Sequence, residues 1–186
     1  MKSERTKERI IAQTIALIQE SNGLTENITL RKIAEQSNVG LGLINHYFGT
    51  KENLIEECVQ RIISRVIDAF HPKLVEGEAS VETTKRVAKQ VMDFLMDHPE
   101  VSKISILGDL EQPGERDNTM GTVQGLSRWL SGGDMQSSYK INSFMITAVM
   151  QVAFLRRDVL CQTLGVDFYD KGQRDALIDD LIERFR

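Results

Sequence analysis

Apolar residues recur at helical spacings along nearly the whole chain, and no stretch alternates with the period of two that a half-buried strand requires. Ile10, Ile11, Thr14, Ile15, Leu17 and Ile18 form one such face, and Ser21-Asn22-Gly23 supplies residues that stop a helix. Thr29 is placed to cap a short second helix, Leu30 to Ser37, with Ile33 and Ala34 turned inward. A third short helix is predicted around Gly42 to Phe48. Thr50 then caps a long helix carrying Leu54, Ile55, Cys58, Val59, Ile62, Ile63, Val66, Ile67 and Phe70, which His71-Pro72 closes. The segment "KLVEGEAS" reads as a linker. Beyond it, helices are predicted near Val81 to Asp97, Pro99 to Leu110, Met120 to Leu130, Tyr139 to Leu164 and Lys171 to Phe185. Their breaks, "DHP", "EQPGERDN", "SGGDMQSS" and "GVDFYD", are rich in turn residues. The expected fold is all-α, with a small three-helix domain over residues 1–50 and a larger helical body over 51–186.

One stretch of this pattern, "NVGLGLINHYFGTKENL" over residues 38–54, sets glycines and polar residues where a plain structural helix would not. Glycine in a helix interior costs about 1 kcal/mol relative to alanine. Two short helices joined by a tight turn and packed on a longer one form a helix-turn-helix, whose second helix enters the major groove of DNA. Asn38 then occupies a turn position that wants a left-handed backbone, which asparagine tolerates. Val39 and Ile44 face a small core with Ile33 and Phe48, and Gly40 serves as a weak helix N-cap. Gly42, lacking a side chain, lets the helix approach the DNA closely.

Leu41, Leu43, Asn45, His46 and Tyr47 are left to meet the groove and its phosphates. Asparagine can pair with adenine, leucine can touch a thymine methyl, and tyrosine and histidine can donate to phosphate. Thr29, Arg31 and Lys32 at the start of the second helix are further candidate DNA contacts. Lys51, at the start of the next helix, is placed as a phosphate anchor. Lys7 and Arg9 on the first helix are as readily solvated as phosphate-bound.

The segment "TLRKIAEQSNVGLGLINHYFGTKENLI" resembles the DNA-binding motif of the tetracycline-repressor (TetR) family, with Ile33, Ala34, Val39, Gly42, Tyr47, Phe48, Lys51 and Leu54 in register. Three positions depart from the family pattern: Asn38 replaces a turn glycine, Gly40 a Ser/Thr cap, and Asn45 a common tyrosine. The resemblance implies a homodimer that binds a palindromic operator, with a C-terminal domain that takes up a small molecule and thereby alters operator affinity. It leaves repression and activation both open, with repression the commoner role.

Composition changes this picture little. Hydrophobic residues make up 41% and charged residues 27%, which suits a globular chain, and no apolar run is long enough to span a membrane or form a leader. A cytoplasmic protein is expected. The net charge of −4 hides an asymmetry. Through Lys51 there are seven Lys and Arg against five Asp and Glu, and in the remainder sixteen against twenty-two. A basic end on an acidic body fits a chain that touches phosphate with one end. Cys58 and Cys161 sit in apolar helical patterns and are expected to be buried thiols.

No enzymatic activity, metal or cofactor is expected. "GLSRW" around Ser127 lacks the second glycine of a nucleophile elbow. His46, His71 and His98 have no metal-ligand spacing, and the glycines of "GLGLIN" follow no strand. A helical enzyme or carrier with an incidental helix-turn-helix, or a regulator controlled by a partner protein, is the alternative.

In the body, the apolar run of Tyr139 to Leu164 leaves almost no polar face, so one side can line the core while another packs on a partner subunit. Val152, Leu155, Leu177 and Leu181 are the candidate dimer contacts. Phe94, Met96, Leu107, Trp129, Met145, Met150 and Phe154 are either core or the wall of an effector pocket suited to an apolar or aromatic guest.

Overall fold

The computed structural model describes residues 2–69, 80–130 and 137–185. Among these are ten α-helices and one 3-10 turn, Thr25–Asn27, with no strand. The expected helix end at Phe70, His71-Pro72, nearly all of the 73–80 linker and the turn at 131–136 lie outside the described residues.

Two compact units divide the chain, residues 1–71 with 98–107, and residues 72–97 with 108–186. The first holds α1 (Lys2–Gln19), α2 (Leu30–Ser37), α3 (Leu41–Phe48), α4 (Lys51–Ala69) and most of α6 (Pro99–Glu111). Its core gathers Ile10, Ile11, Leu17 and Ile18 from α1, Ile28, Ile33 and Ala34 around α2, and Ile44 and Phe48 from α3. Leu54, Ile55, Cys58 and Val59 of α4 complete it with Val101 and Ile104 of α6. The expected division at residue 50 therefore marks the end of the helix-turn-helix motif rather than of a packed body. One longer helix and two short ones lack the apolar area for a core of their own, and α4 supplies it.

Thr14 sits fully buried on the apolar face of α1, its hydroxyl donating to the Ile10 carbonyl at 2.8 Å. The helix stop after α1 is built as its residues suggest. Asn22 and Gly23 both take left-handed backbones, with φ of 56° and 70°. A Cβ on Gly23 would lie 2.7 Å from Lys103 Cδ, so glycine is required there.

The second unit holds α5 (Ser80–Asp97), α7 (Asn118–Leu130), α8 (Ser137–Leu155), α9 (Arg157–Leu164) and α10 (Lys171–Arg184). Val87, Ala88, Met92 and Leu95 of α5 are buried, as are Val123 and Leu126 of α7, Ile146, Met150 and Phe154 of α8, and Ile178 and Ile182 of α10. An ionic ladder sets α5 antiparallel to α10. Lys85 Nζ lies 2.6 Å from Glu183, Lys89 Nζ 2.6 Å from Asp179, and Asp93 accepts from Lys171 at 2.7 Å and Arg174 at 2.8 Å. Partly exposed ion pairs add little net stability, and their regular spacing here serves register. Arg174 is itself buried, and its other guanidinium nitrogen donates to the Phe168 carbonyl at 2.6 Å.

Two expectations are corrected. The helix predicted over Tyr139 to Leu164 is two helices, broken at Arg156, whose φ and ψ of −107° and 11° leave the helical region. The Arg157 guanidinium donates to the Phe154 carbonyl at 2.9 Å, taking up an acceptor that a continuous helix would use. Cys161, on α9, is exposed, because that helix has no buried residue at all. Cys58 is buried as expected, and burial pushes its thiol up to about 12.

Acid tests the ladder. Burial alone would raise the Asp93 carboxyl, but the hydrogen bonds from Lys171 and Arg174 outweigh it and hold the group below its ordinary value of 3.8. Such a carboxylate contributes stability above the unfolded pKa and loses it as pH falls through the folded one. Asp93→Asn is expected to lower the melting temperature at neutral pH, with the gap to the parent closing below about pH 4. A gap that stays constant on acidification would assign Asp93 to packing instead.

Candidate nucleic-acid interface

The helix-turn-helix is assembled by local chemistry. Thr29 caps α2, its hydroxyl accepting from the Lys32 amide at 3.2 Å. Asn38 ends α2 with φ and ψ of 49° and 54°, the left-handed conformation its place in the turn requires, and its amide donates back to the Glu35 carbonyl. The Val39 amide donates to the Ala34 carbonyl, and Val39 packs half-buried against the core. Gly40 is the N-cap of α3 and offers no side chain to cap it. Thr50 caps α4 through the Asn53 amide at 3.1 Å.

Within α3 only Ile44 and Phe48 are buried, and they anchor the helix to the core. With 3.6 residues per turn, Gly42 and His46 then point directly away from the core, flanked by Leu43 and Asn45. Leu41 and Leu43 are 48% and 36% exposed, and Asn45 and His46 are exposed as well. A Cβ built on Gly42 meets nothing within 4 Å, and its φ is not positive. The fold itself gives Gly42 no reason to be glycine. On α2, Arg31 is exposed and paired only with Glu35 at 3.2 Å, and an open depression sets Arg31 beside Asn38, Gly40 and Leu41.

Three of the ten candidate DNA contacts are less free than the sequence suggests. Tyr47 is half-buried against the core, and its hydroxyl is 2.8 Å from the Ser3 hydroxyl at the start of α1. Lys51 donates its ammonium to the Thr25 carbonyl at 3.2 Å, tying the start of α4 to the 3-10 turn. Lys32 likewise reaches the Asn27 carbonyl at 3.1 Å while remaining exposed. Thr29, Arg31, Lys32, Leu41, Gly42, Leu43, Asn45 and His46 all reach the surface.

The sequence reading missed the supports behind this surface. Arg9 donates to the Ser37 carbonyl at 2.8 Å, satisfying an orphan acceptor at the end of α2. Lys7 pairs with Glu57 at 2.9 Å and lies 5.5 Å from the centre of the Phe48 ring. Arg61 grips Glu8 through both guanidinium nitrogens, at 2.6 and 2.8 Å, which holds the Glu8 carboxyl below its ordinary range. These contacts join α1 to α2, α3 and α4 across long sequence separations. Nothing in the local pattern marks their partners.

In the second unit, Met150 and Phe154 are fully enclosed, and Phe94, Met96, Trp129 and Met145 are half-buried. Leu107 is 42% exposed and belongs to the first unit. Ser127 and Ser143 are buried there too, with hydroxyls that have no hydrogen-bond partner. Along α8, Ile141, Phe144, Val149 and Val152 are 59%, 49%, 44% and 53% exposed and form one apolar stripe. Leu155, Leu177 and Leu181 are half-buried. Among the described residues no helix is long and apolar enough to cross a membrane, and no group of acidic, His or Cys side chains is placed to hold a metal.

Residues 10–58 match the family described as bacterial regulatory proteins, tetR family. Over 75 residues the chain is 31% identical to the HTH-type transcriptional regulator BetI 1 of Chromohalobacter salexigens, covering 40% of this chain and 36% of that protein. Over 78 residues it is 35% identical to the HTH-type transcriptional dual regulator CecR of Shigella flexneri, covering 42% and 34%. The match thus spans about a third of the length of these curated relatives. A TetR-like transcriptional regulator from Rhodococcus sp. RHA1 shares the fold, with a TM-score of 0.61 over 96% of this chain and 94% of that one, at 13% identity.

Proposed function

We propose that this chain, a TetR-family transcriptional regulator by its DNA-binding domain, represses transcription as a homodimer on a palindromic operator in the cytoplasm and is released by a small molecule. The observation that carries the operator reading is the outward face of α3, which leaves Gly42, Leu43, Asn45 and His46 free while Ile44 and Phe48 hold the helix in place. Thr29, Arg31, Lys32 and Lys51 serve the flanking phosphates.

The stripe on α8 supports the homodimer, since a contiguous apolar band of that kind calls for a covering surface. Leu177 and Leu181 of α10 extend it. Two copies then present two α3 helices to half-sites one DNA turn apart, about 34 Å. For the effector, the second unit encloses Met150 and Phe154 and half-buries Phe94 and Trp129, side chains suited to an apolar or aromatic guest. The unpartnered hydroxyls of Ser127 and Ser143 favour one that also carries a hydrogen-bonding group. Effector and operator oppose each other reciprocally, by about 5–150-fold in affinity.

A gel shift with the DNA upstream of the gene tests the operator reading, and two substitutions divide its contacts. Lys32→Ala is expected to weaken operator and random DNA alike and to reduce the salt slope by about 0.9 per phosphate lost. Asn45→Ala should change the ranking of operator variants instead. Equal losses on all sequences for Asn45→Ala would move that residue to the backbone.

A further inference from the structure

Between Leu41 and Phe48, α3 carries no Lys, Arg, Asp or Glu, its one basic side chain being His46, and that restricts the bases its outward face can read. The commonest specific contact to guanine is a bidentate Arg or Lys, and cytosine is read by a carboxylate accepting from its amino group. Neither is available from this helix. The nearby cations sit on neighbouring elements, Arg31 and Lys32 on α2 and Lys51 on α4. Arg31 pairs with Glu35, Lys32 with the Asn27 carbonyl and Lys51 with the Thr25 carbonyl. The operator reading assigns them to the flanking phosphates, which leaves the base edges to α3.

What α3 does offer is complementary to the other base pair. Leu43 keeps 36% of its surface exposed on one flank of the outward face, although Ile44 and Phe48 already anchor the helix. Asn45 lies on the other flank and presents an amide that can accept from N6 and donate to N7 of adenine. Between them the absent Cβ of Gly42 leaves open space, so the groove floor can come within van der Waals reach of Leu43.

We infer that the operator half-site has an A·T core, in which Leu43 covers the C5-methyl group of a thymine and Asn45 pairs with an adenine. This rests on the operator reading above and adds the chemical identity of the bases read. Specificity on the Leu43 side is apolar: what is recognised is a methyl group, not a hydrogen-bond pattern.

The test begins with selection of preferred sites from a random double-stranded DNA pool by the full chain. In the selected site each thymine is then replaced singly by deoxyuridine, which removes only the methyl group. At one position per half-site this is expected to weaken binding about four-fold, the cost of exposing one methyl. With Leu43→Ala the same replacement should cost nothing, while Leu43→Met, which keeps an apolar reach, should retain part of the difference. Both variants change a surface side chain, and their melting curves confirm folding. A selected site in which no deoxyuridine replacement matters, or whose Leu43-sensitive pair is G·C, overturns the inference and leaves operator binding standing. A pool from which no sequence is enriched overturns the operator reading, and the A·T assignment falls with it.

Discussion

Replacing Val152 by glutamate is expected to turn a dimer into folded monomers and to weaken operator binding by about 10²–10⁴-fold, the gain that linking two half-site contacts provides. Val152 is 53% exposed in the single chain, so the substitution leaves the subunit core untouched. In the proposed dimer it would carry a carboxylate into an apolar seam, where the cost of desolvating the charge opposes association. Ile141, Phe144 and Val149 lie along the same stripe and lose their cover together with it. Met150, next in sequence, is 2% exposed, so Met150→Glu should unfold the subunit instead. That contrast separates assembly from folding. Sedimentation at micromolar concentration and a gel shift on the selected operator read the two effects. A Val152→Glu protein that stays dimeric and binds its operator with parental affinity would place the partner surface elsewhere.

The second large effect has opposite signs in two measurements. Gly42→Ala is expected to stabilise the protein by about 0.4–1 kcal/mol, because alanine loses less conformational freedom on folding and its Cβ, in the first turn of α3, enters open space. The same substitution should weaken operator binding on the order of tenfold, the scale of one disrupted base contact, since the methyl stands on the outermost line of α3. Gly23→Ala provides the comparison. There the backbone is left-handed and the new Cβ would strike Lys103 at 2.7 Å, so stability falls. A Gly42→Ala variant that gains stability and keeps full affinity would mean that the groove does not approach that line.

Much of this protein is written locally. The caps Thr29 and Thr50, the left-handed Asn38, and the anchors Ile33, Ile44 and Phe48 are legible from sequence because each acts within one turn of its own position. The candidate reading residues follow from the same periodicity: once Ile44 and Phe48 face inward, Gly42 and His46 must face out. The all-α class and the boundaries of α2 needed nothing more.

What the tertiary structure decided involves partners far apart in the chain. Tyr47 looks free in sequence and is held by Ser3, and Lys51 looks like a bare phosphate anchor and is tied to Thr25. The ladder of Lys85, Lys89 and Asp93 against Glu183, Asp179 and Lys171 sets α5 on α10, although each member reads alone as a solvated charge. The break at Arg156 depends on a guanidinium turning back to the Phe154 carbonyl, a choice that periodicity does not register. The exposure of the α8 stripe likewise appears only when the other side of that helix is seen to fill the subunit core. Helical pattern fixes which residues share a face; which face meets which partner is set by long-range packing, where loop closure and burial are weighed over the whole chain.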